Sequence, residues 1–199
     1  MIALMGGSYN PVHIGHMIVA SYVAQWCEGV EQTWMLLSPQ NPLKSSGCAL
    51  AGDMHRLEML RMACAGSGLL DVCDVELSMP CPNYTIDTLH RLKRMYPGKD
   101  FRLVIGADNW AIIDKWRSYE EIIRDFGLIV YPRPGYPIPE IPEKWAGCVT
   151  VVPAPTVEIS STWLRDSIAR GMDVNYFLPN GVYHYIKEHN LYACGHAGT

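Results

Sequence analysis

The residues best suited to chemistry stand near the start of the chain: Gly6-Gly7, then Pro11, then His13 and His16, three positions apart. The glycines have no Cβ, so the backbone there can turn sharply and present N–H groups to a bulky anion. If a helix begins near His13, both rings fall on one face, at the end where free N–H groups and the helix dipole favour negative charge. Two imidazoles so placed can donate hydrogen bonds to a phosphate and share its charge. Either histidine alone reads more readily as a partly buried loop residue. The glycines, Pro11 and the strand–turn–helix setting turn the balance toward phosphate. No G-x-G-x-x-G is present, so this is not the dinucleotide fingerprint.

Residues 5–16 resemble the G-x-[FY]-x-P-x-H-x-G-H signature of the nucleotidyltransferase superfamily. Near the other end, Ile159-Ser160-Ser161-Thr162-Trp163-Leu164-Arg165 is similar to that superfamily's I-S-S-T-x-[IL]-R. Within the superfamily, residues 2 to about 192 look like the bacterial nicotinate-nucleotide adenylyltransferases. The resemblance implies adenylyl transfer from ATP to nicotinate mononucleotide, giving nicotinate adenine dinucleotide and pyrophosphate in NAD synthesis, with Mg²⁺ carried by the ATP phosphates and no metal ligand from the protein. It implies a catalytic set of His13, His16, Lys44 and Arg165. ATP contacts would come from Gly6, Gly7, Ser8, Tyr9, His13, His16, Gly106, Asp108, Ser160, Ser161, Thr162 and Arg165. Mononucleotide contacts would come from Ser8, Lys44, Tyr84, Thr85, Asp108 and Trp116. Two departures stand out: Leu43 where the family often has His, and Asn83 where it usually has Ser.

Each of these residues also has a plainer reading. Lys44 is the single cation of a polar loop and would ordinarily be solvated. Asp108 could cap the helix that follows it, instead of meeting a ribose hydroxyl or a magnesium-bound water. Trp116 could pack in the core instead of stacking on a pyridine ring. Arg165 alone would be solvated, but it follows a Ser-Ser-Thr helix start that can itself bind phosphate oxygens.

The elements that must position these groups alternate along the chain. Residues 2–5 are too short an apolar run for a helix and suit a buried strand; 17–24 read as a helix with an apolar inner face. The histidines therefore sit on a strand-to-helix connection, where open parallel sheets bind ligands. Further strands are predicted over 32–37, 69–77 (its second half an extended segment), 101–105, 127–131 and 149–152. Helices are predicted over 53–63, from 84 or 85 onward, from 160 or 161 to 170 with Gly171 as the stop, and over 180–188. In the 53–63 helix, Met54, Leu57 and Leu60 face the core, and His55 and Arg56 the surface. Thr85 or a neighbour caps the helix carrying Asp87. Residues 132–145 hold five prolines and must form a loop.

This pattern predicts an α/β fold: a Rossmann-like parallel sheet with helices on both faces and a small C-terminal helical appendage. Residues 1–192 make one domain and 193–199 a flexible tail. With 18% charged and 49% hydrophobic residues the chain is globular. A net charge of −4 argues against a nucleic-acid scaffold. The seven cysteines form no C-x-x-C pair and read as buried thiols of a reducing cytoplasm. No signal peptide or membrane span is expected, so the location is cytoplasmic, and a homo-oligomer is compatible with the sequence. The reading that competes most closely is an adenylyltransferase of the same superfamily acting on nicotinamide mononucleotide or pantetheine phosphate. A metal hydrolase using His13 and His16 lacks an obvious third ligand, and a non-catalytic nucleotide sensor would not need Lys44 and Arg165.

Overall fold

The computed structural model describes residues 1–39, 51–136 and 140–193. Six strands, β1 (Ile2–Gly7), β2 (Gln32–Leu37), β3 (Leu70–Cys73), β4 (Phe101–Gly106), β5 (Leu128–Tyr131) and β6 (Val149–Val151), form one sheet in the order β3-β2-β1-β4-β5-β6. Every pairing is parallel. Strands buried on both faces need continuous apolar runs, which is why β1, β2, β4 and β5 stand out in the sequence. The strand order reverses between β1 and β4, so a crevice opens at their carboxyl ends.

The period-two alternation of side chains divides the core. Ala3, Met5, Met35, Leu37, Val104 and Ile129 point to one face, under α1 (Ile14–Trp26) and α2 (Asp53–Cys64). Ile2, Leu4, Trp34, Leu36, Leu103, Ile105 and Val130 point to the other. That second face is covered by α3 (Thr85–Met95), the single turn α4 (Ala107–Trp110), and α5 (Tyr119–Glu121), which runs on into a π-turn over Ile122–Phe126. The C-terminal α6 (Ser161–Ala169) and α7 (Val182–Glu188) bury Leu164, Val182 and Ile186 in the first core.

Several expectations need correcting. Residues 75–78 wind into a 3₁₀ turn instead of continuing β3 as extended chain, burying Val75 and Glu76. Met54 is exposed, and Arg56, expected at the surface, is completely buried. Cys81 is exposed and Cys148 only half-buried, so the thiols are not uniformly interior. Apart from Ala193, the expected tail lies outside the described residues. Among the described residues, no helix is long and apolar enough to cross a membrane.

Candidate active site

The turn after β1 is held from behind, carbonyl by carbonyl. Gly7 O accepts from Ser38 N–H at 2.9 Å, at the end of β2. Ser8 O accepts from Arg56 Nη1 at 2.6 Å. Asn10 O accepts from Arg165 Nη1 at 2.8 Å, and Pro11 O from the Ser161 hydroxyl at 2.9 Å. The Asn10 side chain is buried, its Oδ1 accepting from Ala51 N–H at 3.1 Å and from Tyr192 Oη at 2.8 Å. Tyr9 has a positive φ of 43°, which costs a non-glycine residue energy that its surroundings must offset. Its ring tucks under the turn and its hydroxyl donates to Met5 O at 2.5 Å. Gly7 is required here: a Cβ would lie 2.9 Å from that ring. With its carbonyls turned inward, the loop offers the crevice an edge free of most acceptors.

His13 caps α1 and His16 stands one turn on. The rings stack at 3.7 Å between centroids, and Tyr9 meets His16 edge-on at 5.0 Å. His13 N–H donates to His16 Nδ1 at 3.2 Å, which leaves Nε2 as the protonated nitrogen of a neutral His16 ring. Burial lowers the His13 pKa to about 4, and the Arg133 guanidinium pushes it in the same direction. His13 is therefore neutral at neutral pH in this structure, where it can serve as an N–H donor; its Nδ1 is buried and unpartnered among the described residues.

The two histidines line a cleft with Met5, Gly15 and Val19, facing residues 131–134, 155–157 and Ile159. Asp108 Oδ1 sits 3.4 Å from Arg133 Nε at the end of β4. Asp108 lies inside α4, whose N-cap is Gly106, so the capping reading of this carboxylate fails. A Cβ on Gly106 would meet Arg133 Cγ at 2.8 Å, so glycine is what lets that pair close over the strand end. Across the cleft, the Ser160 hydroxyl caps α6 by accepting from Trp163 N–H at 3.1 Å. Thr162 Oγ1 accepts from Arg165 Nη2 at 3.3 Å. Of the predicted ATP group, the structure thus brings together Gly6 to Tyr9, His13, His16, Ser161 and Arg165 around one turn, with Gly106 and Asp108 at the neighbouring strand end.

Tyr84, Thr85 and Trp116 stand apart from that cleft, on the second face of the sheet. Tyr84 and Trp116 pack half-buried against its core. The helix cap falls on Tyr84, whose side chain makes no capping bond, so Thr85 is the first helical residue and not the cap. Among the described residues, the N–H groups of Thr85 and Ile86 have no acceptor. Among the described residues, Trp116 Nε1 is buried without a partner. The Arg117 guanidinium lies 4.8 Å over the Tyr84 ring and 3.3 Å from Asp87. Beneath this helix start Glu76 is buried, accepting from Thr88 Oγ1 at 2.7 Å, and burial raises its pKa.

Lys44 and Leu43 lie outside the described residues. Two cations were missed as site residues from sequence. Arg133 follows a buried strand within Pro-Arg-Pro, the same strand-end position that singled out the other candidates. Arg56 gave no signal, because one arginine in a helix ordinarily faces water.

The cytidylyltransferase-like family model matches residues 4–167. A protein of Bacteroides thetaiotaomicron named probable nicotinate-nucleotide adenylyltransferase is 42% identical over 188 residues, covering 94% of this chain and 90% of that protein. Its namesake from Flavobacterium johnsoniae is 39% identical, covering 96% of this chain and 98% of that one. The fold is similar to that of Plasmodium falciparum nicotinic acid mononucleotide adenylyltransferase complexed with NaAD, with TM-score 0.77, 22% identity and 96% of each chain covered.

Proposed function

From the premise that this chain belongs to the cytidylyltransferase-like family, among the nicotinate-nucleotide adenylyltransferases, we propose that it moves the adenylyl group of ATP onto the phosphate of nicotinate mononucleotide. It is a nucleotidyltransferase enzyme. A phosphate oxygen of the mononucleotide attacks the α-phosphorus of ATP, the bond to the β-phosphate oxygen breaks, and pyrophosphate leaves. The mononucleotide phosphate has a second pKa of about 6 and is already an anion at pH 7, so no general base is needed. What must be overcome is repulsion between two phosphates and charge building on the departing pyrophosphate, which positioning and electrostatic stabilisation can do.

His13 and His16 donate to the ATP phosphates, with His16 nearest the reacting centre, while Lys44 and Arg165 take the β and γ phosphates. Gly6, Gly7, Ser8 and Tyr9 offer backbone donors. Ser160, Ser161 and Thr162 complete the triphosphate end, and Gly106 and Asp108 serve the ribose side. Tyr84, Thr85 and Trp116 hold the pyridine: the indole stacks on the ring and the N–H groups starting α3 take its carboxylate. Ser8, Lys44 and Asp108 reach the mononucleotide's phosphate and ribose. An Mg²⁺ ion held by the ATP phosphate oxygens, with no ligand from the protein, would supply charge neutralisation at the leaving pyrophosphate. The enzyme works in the cytoplasm.

The observation that carries this proposal is the turn after β1, its carbonyls of residues 7, 8, 10 and 11 bonded inward beneath two stacked histidines. Pyrophosphate release from Mg-ATP, measured with nicotinate mononucleotide, nicotinamide mononucleotide and pantetheine phosphate in turn, tests it. Release only with pantetheine phosphate, or none at all, would overturn it.

A further inference from the structure

We propose that Arg56 is a positioning residue for the triphosphate, acting through the backbone of Ser8 without touching substrate. The inference rests on the proposed role of the 7–11 turn as the phosphate cradle. Arg56 is 0% exposed, the largest of the fully buried side chains. Its Nε donates to Ala51 O at 3.0 Å, and its Nη1 donates to Ser8 O at 2.6 Å and Ser38 O at 3.0 Å. Its Nη2 donates to Pro39 O at 3.4 Å and pairs with Asp53. A guanidinium has five N–H donors in a rigid fork, and here each has a partner. Four partners are carbonyls from three separate places: the turn after β1, the end of β2 and the start of α2.

The consequence for the site follows from peptide geometry. In a planar trans peptide the carbonyl of one residue and the N–H of the next point in opposite directions. Drawing Ser8 O inward onto Arg56 therefore turns the Tyr9 N–H outward. That N–H has no acceptor among the described residues. The positive φ of Tyr9 is not a conformation the chain keeps unaided. Ser38, gripped by the same Nη1, passes the constraint on through its own N–H to Gly7 O at 2.9 Å. Arg56 thus fixes two successive peptide planes of the turn, and its charge lies buried directly behind them. Lysine would keep that charge but has three donors on a single point, which cannot span the three segments.

The test is Arg56→Lys, with kinetics read well below the variant's own melting temperature. The expected result is a fall of about 10²-fold in kcat/KM for ATP, the scale of a misplacement of about 1 Å, with KM for the mononucleotide within about threefold of wild type. A purely structural role would lower the melting temperature and leave the kinetics of the folded protein unchanged, and that result would overturn the proposal. Should Arg56→Lys fail to fold, Asp53→Asn decides, since Asp53 is half-exposed and its loss only loosens the guanidinium. It should raise KM for ATP about two- to fivefold with little change in melting temperature; an unchanged KM would overturn the proposal. Failure of the underlying reading looks different: the wild-type protein itself would release no pyrophosphate from ATP and nicotinate mononucleotide.

Discussion

Acidifying the protein from pH 7 to pH 5 should cost its folded state about 2 kcal/mol through His13 alone. The residue is 5% exposed and its pKa falls from 6.5 in the unfolded chain to about 4 in the fold, chiefly by burial. Between those values the unfolded chain binds a proton that the folded chain refuses, so stability rises with pH across that window and is lost as pH falls through it. At about 1.4 kcal/mol per pKa unit, most of the span from pH 6.5 to pH 5 counts, which gives the figure of about 2 kcal/mol. Glu76 works in the opposite sense: its raised pKa lets the fold keep a proton that the unfolded chain releases, so its contribution falls as pH rises above the ordinary carboxylate range. A variant is therefore needed to isolate the histidine. His13→Gln replaces the imidazole with an amide that does not titrate. Urea unfolding of both proteins at pH 7 and pH 5 should show wild type losing about 2 kcal/mol more than the variant. Equal losses would mean that His13 is not the buried neutral ring described, and that a charged imidazole must be considered at the phosphates after all.

Three further outcomes follow from the site. His16→Ala should lower kcat by about 10²-fold with little change in melting temperature, as for loss of a transition-state donor; near-normal kcat with only a raised KM for ATP would make it a ground-state binder. Arg165→Ala and Lys44→Ala should each reduce kcat/KM for ATP by roughly tenfold to 10²-fold, since a hydrogen bond from a charged group is worth about 1.5–3 kcal/mol, and full retention in either would remove that residue from the triphosphate. Nicotinate mononucleotide should be preferred over its amide by at least about 10²-fold in kcat/KM, because the N–H groups of Thr85 and Ile86 suit a carboxylate and leave a carboxamide's NH₂ facing donors; a ratio near one would refute the helix-terminus account.

The sheet was legible because its chemistry is continuous. Residues 2–5, 34–37, 103–105 and 128–130 are apolar without interruption, as strands covered on both faces must be. The turn after β1 was legible because glycine, proline and histidine types constrain it locally. What sequence could not supply were effects of burial, which depend on distant partners. Arg56 looks like any helix-surface arginine until carbonyls 5, 17, 18 and 48 positions away converge on it. His13 looks like a charged ligand until the cleft closes over it and Arg133 comes near. Residues 75–78 carry strand-like alternation, yet the chain turns there and buries Glu76 against Thr88. The cap of α3 falls on Tyr84, within the reading of Thr85 or a neighbour: Tyr84 packs against the second core, and Thr88 N–H closes onto its carbonyl at 3.1 Å.

The bond from Tyr192 to Asn10 joins residues 182 positions apart. A ribosome adding roughly 5–20 residues per second takes on the order of 10–40 s to cover that distance. The turn after β1 thus emerges long before all of its braces exist. Ser161 and Arg165 reach it only after β6 has been made, and Tyr192 later still. Until then the carbonyls of Asn10 and Pro11 face water or whatever else is at hand, so a nascent chain can lay down much of its sheet while its histidines still lack a fixed platform. Chains released early, short of Tyr192, would leave the turn missing one of its braces, and catalytic competence would arrive abruptly with the last helices instead of growing as the sheet is built.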